Sequence, residues 1–324
     1  MKLDSITCTP KRSDNSVVLL HPFSQHAAHV TMTASKFLKR MLTQPVQKRQ
    51  LLKESHCSTY GISSDPLMQF TLVFAALIHD VDHTGLRNSD LVQLRSPAAV
   101  IYKNRSIAEQ NSLDVAWKVL MDDDFTELRD CIYTSKEELR RFRQLLVNAI
   151  LATDFDDEDA QESRNTRWNK AFETESEDQD RRGNNSKTRS DMRATILYEH
   201  IMQAADISHT IQHWQTFNKF NERLFSERFT AFMNGDEPCD PSATWYEEVL
   251  AHFDDTVIPL AEKLRSCGVF GSTGEEFMRW AQQNRSEWSA KGRAVVRHMR
   301  ENVAQQFQRM NVKEQKRRRR ASMI

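Results

Sequence analysis

Glycine and proline occur only 8 times each in 324 residues, about 2.5 % apiece against ordinary levels near 7 % and 5 %. A sheet of many short strands needs frequent tight turns, and those turns draw on these two residues. A chain so poor in both folds as long helices with few reversals. We therefore expect an all-α, compact multi-helix bundle.

Apolar periodicity agrees. Val30, Met32, Phe37, Leu38, Met41 and Leu42 mark a helix over 27–42, and Leu67, Phe70, Val73, Phe74, Leu77 and Ile78 mark a second behind Pro66. Further helical patterns cover 106–121, 135–153, 193–207, 214–234, 244–265 and 275–309. Between Asp156 and Asp191 the chain turns acidic and polar, so 156–192 is expected to loop out. Residues 1–20 read as a short lead-in from a truncated N-terminal part, 21–310 as one domain and 311–324 as a basic tail.

Polar groups that break apolar helical stretches carry the chemical information, since burying them unpaired costs several kcal/mol. LIHDVDHTGLRN, residues 77–88, sets His79, Asp80, Asp82 and His83 directly behind an apolar helix. His26, Glu109 and Asp206 lie within or beside three more apolar runs. Taken singly, each reads as a satisfied core or capping residue. Together, His26, His79, Asp80 and Asp206 supply imidazole nitrogens and carboxylate oxygens suited to one divalent cation.

Charge excludes other classes. Lysine plus arginine (45) balances aspartate plus glutamate (45), so the chain offers no overall field to draw in nucleic acid. The five cysteines are scattered and form no Cys-x-x-Cys pair, which fits a reduced, cytoplasmic setting. No run of about 18 apolar residues suggests a transmembrane segment.

The ordered strings HAAHVTM at 26–32, HDVDHTGLRN at 79–88, SIAEQNSLDVAW at 106–117, LATD at 151–154, QAADISHT at 203–210 and NRSEW at 284–288 resemble the catalytic domain of class I 3′,5′-cyclic nucleotide phosphodiesterases, within the HD superfamily of phosphohydrolases. The string at 79–88 matches the form HDxxHxGxxN, and the likeness runs from about Pro22 to Trp288, most similar to protist and algal members. The resemblance implies hydrolysis of cyclic AMP or cyclic GMP to the 5′-monophosphate. It implies two divalent metal ions, Zn2+ on His26, His79, Asp80 and Asp206, and Mg2+ or Mn2+ bridged by Asp80. It also implies supporting roles for His83, Glu109, Thr153, Asp154 and Asp82.

Two positions depart from the family pattern. The histidine that donates a proton to the leaving oxygen stands four residues before the first ligand, where this chain has Pro22. Either His21 substitutes or the acid is absent. The base-binding glutamine and phenylalanine fall on Val249 and His252, and His209, in the ADISH string, stands where many relatives place an asparagine near the base. The alternatives are thus an impaired pseudoenzyme serving as a regulatory module, or a phosphohydrolase acting on another ester. Finally, RRAS before Met323 resembles a site for cyclic-nucleotide-dependent kinases at Ser322, whereas the plain reading of KEQKRRRRASMI is a solvated basic tail, with a nuclear or membrane-surface address as a third option.

Overall fold

The computed structural model describes residues 22–43, 59–173, 183–235 and 239–321. Every regular element among them is helical, as the scarcity of turn-formers requires. Two helices form the floor of the bundle: α1, Pro22–Leu42, and α2, Pro66–Ile78. Pro66 opens α2, where a missing N–H costs nothing, and the Asp65 carboxylate accepts the Met68 amide at 3.0 Å. Short α3, Asn88–Gln93, and α4, Pro97–Ile101, lead to α5, Ile107–Leu120, and then to α6, Thr126–Ile132, and α7, Lys136–Leu151. The second half comprises α8, Glu158–Trp168, α9, Gly183–Asp206, α10, Trp214–Asn234, α11, Trp245–His252, α12, Ile258–Ser266, and α13, Ser272–Ala321.

Helix α9 is the axis of the core. Ile196, Leu197, Tyr198, Ile201, Met202, Ala204 and Ala205 are all at most 1 % exposed, and α1, α2, α7 and α12 pack around this helix. On the far side α13 supports α10, α11 and α12. The buried half of this helix leaves little water to satisfy a charge at its end. Asp206, its last residue, must find protein or ion partners.

The structure corrects three expectations. In the stretch expected to loop out, 156–192, the described residues include α8 and the start of α9. Its polar groups bond inward: Asp157 accepts the Ala160 amide at 3.0 Å, buried Arg164 donates to the Leu151 and Asp154 carbonyls, and Arg167 grips Glu199 with two bonds of 3.0 and 2.7 Å. Trp168 seals the segment by stacking on Phe172. The second correction concerns 244–265, where a π turn over Phe253–Val257 divides α11 from α12. Pro259 has no N–H to bond back into the preceding turn, and the widened turn absorbs that loss. Third, the last helix continues to Ala321, past its expected end near 309.

Candidate metal centre

Three helix segments deliver the candidate ligands. His26 comes from the first turns of α1, His79 and Asp80 from the residues directly after α2, and Asp206 from the end of α9. His26 Nε2 lies 2.9 Å from Asp206 Oδ1 and 3.6 Å from Asp80 Oδ2; His79 Nε2 lies 3.3 Å from Asp80 Oδ2 and 3.4 Å from Asp206 Oδ1. The two Nε2 atoms are 3.4 Å apart. These spacings of 2.9 to 3.6 Å match the edges, about 3.0–3.5 Å, of a coordination shell with bonds near 2.0–2.2 Å.

The tautomer fits the same use. His79 Nδ1 sits 3.0 Å from the Ala76 carbonyl, which can only accept, so Nδ1 carries the hydrogen and Nε2 presents its lone pair to the cluster. Electrostatics show the strain of two carboxylates in one buried place. Burial opposes charge on His79, yet its hydrogen bonds to the Asp206 and Asp80 carboxylates hold the imidazole well above its ordinary value. Burial would lift the Asp206 and Asp80 carboxyls, and the same histidines instead hold both below the usual range. A divalent cation among these four groups would supply the positive charge that the imidazolium otherwise provides.

Around them lies a relay of polar side chains. Asn88 Nδ2 donates to Glu109 Oε2 at 2.9 Å and to Asp154 Oδ2 at 3.3 Å, while its Oδ1 accepts the Ala108 amide at 2.9 Å. Burial and the Asp154 charge push the Glu109 carboxyl up to about 7. Asp154 also accepts the amides of Asp156 and Asp157. Thr153 turns its hydroxyl to the Ile150 carbonyl, and Asp82 accepts from Asn111. His83 accepts the Gly85 amide at 3.1 Å within the turn. Gly85 has φ near +84°, and a Cβ there would meet Glu227 Oε1 at 3.2 Å.

On the other side Phe220, from α10, ties the aromatic groups together. Its ring centroid is 6.5 Å from His26, 4.6 Å from His29 and 5.3 Å, stacked, from His209. Burial drives His209 down to about 3, with His26 and His252 adding to the effect, and its Nδ1 is buried with no hydrogen-bond partner. Burial also lowers His252. Val249, nearly one turn before His252, packs partly buried against the core. His21 and Ser322 lie outside the described residues.

Sequence reasoning named no role for Asn88, Phe220 or Glu227. Asn88 had a signal, as the last position of the HDxxHxGxxN string. Phe220 and Glu227 had none, because nothing in the pattern of α10 separates them from ordinary helix residues.

Residues 22–237 match the 3′5′-cyclic nucleotide phosphodiesterase family. The chain belongs to this family. Human dual specificity calcium/calmodulin-dependent 3′,5′-cyclic nucleotide phosphodiesterase 1C is 31 % identical over 160 residues, 49 % of this chain and 20 % of that protein. The human 1B form is 30 % identical over 204 residues, 63 % of this chain and 31 % of that one. The chain thus matches less than a third of the length of these curated relatives. The phosphodiesterase domain of the RhoPDE fusion protein of the choanoflagellate Salpingoeca rosetta shares the fold, with TM-score 0.60 and 18 % identity over 87 % of this chain and 78 % of that one. The family match ends at residue 237, so α11, α12 and α13 lie beyond it. His252 and Val249 are therefore outside the matched part.

Proposed function

We propose that the chain hydrolyses 3′,5′-cyclic nucleotides to 5′-nucleoside monophosphates at the His26, His79, Asp80 and Asp206 cluster. The observation that carries this reading is that His26 and His79 each stand within 3.6 Å of both Asp80 and Asp206, groups separated by up to 180 residues, within a chain of this family. His26, His79, Asp80 and Asp206 would hold a divalent ion, Zn2+, with Asp80 shared toward a second, Mg2+ or Mn2+. Bound metal supplies Lewis-acid polarisation of the phosphate and acidifies a water. Asn88 holds Glu109 by Oε2, and with its carboxyl raised to about 7 Glu109 can exchange a proton near neutral pH. Neutral His209, stacked on Phe220, offers a flat face on which a purine can stack, and burial also lowers His252.

Turnover of cyclic AMP and cyclic GMP, followed by separating the nucleotide products, tests the reading. With Mg2+ or Mn2+ added, a 5′-monophosphate is expected, and Asp206→Asn should lower kcat by at least about a thousandfold while lowering bound metal. Turnover of some other phosphate ester with none of either cyclic nucleotide would replace this function with the general phosphohydrolase. A second reading rests on Pro22, which opens α1 one turn before His26 and has no side-chain donor. On that reading His21 supplies the leaving-group proton or the chain is a metal-holding regulatory module. Normal turnover in His21→Ala excludes His21, and metal and nucleotide binding without product supports the module.

No described helix is long and apolar enough to cross a membrane. Cys131, Cys239 and Cys267 are unbridged, which supports placing the activity in the cytoplasm. Ser322 is proposed as the acceptor for a cyclic-nucleotide-dependent kinase, and mass spectrometry after kinase treatment is expected to find its phosphate.

A further inference from the structure

Helix α13 runs for 50 residues, Ser272–Ala321, about 75 Å at 1.5 Å per residue. Among the described residues the last side chain of this helix packed on the core is Ala304. The helix continues beyond it for roughly 25 Å. Upstream, its arginines are held by acids of the body: Arg293 pairs with Glu247 at 2.8 Å and Arg300 with Asp240 at 3.3 Å. Downstream, Arg309 and Lys313 have no carboxylate partner among the described residues, and Met310 and Val312 are 55 % and 50 % exposed.

The charge of this projecting part is out of proportion to the chain. Residues 309–321 hold seven lysines and arginines against one glutamate, a net charge of +6 in 13 residues, although the whole chain is neutral. Helical spacing orders these charges. Arg309, Lys313, Lys316 and Arg320 recur at i, i+4, i+7 and i+11, one stripe. Exposed Met310 and Val312 flank this stripe on either side. A basic stripe flanked by exposed apolar side chains, with no carboxylate partner for Arg309 and Lys313 among the described residues, is complementary to an anionic lipid surface.

We infer that the projecting end of α13 docks this chain on an anionic membrane surface, with the arginines and lysines facing lipid headgroups. This inference does not depend on the proposed reaction. The surface holds the catalytic body by one helix, so it changes where hydrolysis takes place and not its rate on soluble substrate.

Co-flotation of the full chain with vesicles tests it. Binding is expected on phosphatidylcholine mixed with phosphatidylserine and not on phosphatidylcholine alone, and it should weaken steeply with added salt. Replacing Arg317, Arg318, Arg319 and Arg320 by glutamine should weaken binding by at least about a hundredfold, since each charge near such a surface is worth roughly fivefold. The same variant should keep its helical circular dichroism and its turnover of soluble substrate. Wild-type protein that stays off the mixed vesicles, or a quadruple variant that floats as well as wild type, overturns the inference. So does tighter retention by short duplex DNA than by the mixed vesicles, which would make the stripe a nucleic-acid contact.

Discussion

His79 shows how much one side chain can decide. Its Nδ1 hydrogen is committed to the Ala76 carbonyl, so its Nε2 has no freedom to do anything but face Asp80 and Asp206. His79→Ala should remove metal content without unfolding the chain, because the residue follows α2 rather than lying within it. Elemental analysis beside circular dichroism checks this, and retention of a full metal complement would exclude His79 as a ligand. Glu109 allows a pH prediction. Its carboxyl is raised from an ordinary 4.5 to about 7 by burial and Asp154. Between those values the folded chain binds more protons than the unfolded one, so stability falls as pH rises through that window and the loss is complete above about 7. In chelated protein Glu109→Gln should therefore stabilise at pH above 7 by up to about 3 kcal/mol, and hardly at all near pH 4.5. Urea titrations at the two pH values measure it; an equal effect at both would sink the argument.

At the scale of the element, close approach is the controlling quantity. Gly292, in the middle of α13, has no side chain because Trp288 and Tyr246 fill the space: a Cβ would stand 2.8 Å from each ring. Gly292→Ala gains about 1 kcal/mol of helix propensity, but the clash with two packed aromatics costs about 1–3 kcal/mol. A net loss is expected, visible as a lower Tm, and a Tm equal to or above wild type would show that the rings yield. The same element scale explains why α8 was read as a loop. Its sequence is almost wholly polar, and polarity alone says solvent. Arg164, Arg167 and Trp168 turn it into structure by meeting carbonyls, Glu199 and Phe172, partners that lie 4 to 32 residues away and leave no local periodicity to read.

At the scale of the molecule, α9 holds Asp206 in an apolar core while α1 and α2 bring imidazoles to it. An ion held there would couple its binding to folding, since no unfolded chain assembles His26, His79, Asp80 and Asp206 together. Chelation should lower Tm by several degrees, as expected when a ligand present at roughly 100 to 1000 times its Kd contributes about 3–4 kcal/mol to the native state alone. Differential scanning calorimetry with and without chelator checks it; an unchanged Tm after metal is shown to have left would mean that the four groups are satisfied by one another.

Local chemistry was legible in the linear order of residues. Scarce turn-formers determine helices, apolar periods locate most of them, and histidines and aspartates at helix ends announce a cation cluster, because these effects act over a few neighbouring positions. Tertiary structure alone decided the rest. The distances between His26 and Asp206, the relay through Asn88, the stacking of His209 on Phe220 and the order within α8 depend on groups far apart in the chain. Such pairings arise only when helices pack, and no property of either residue by itself encodes its partner.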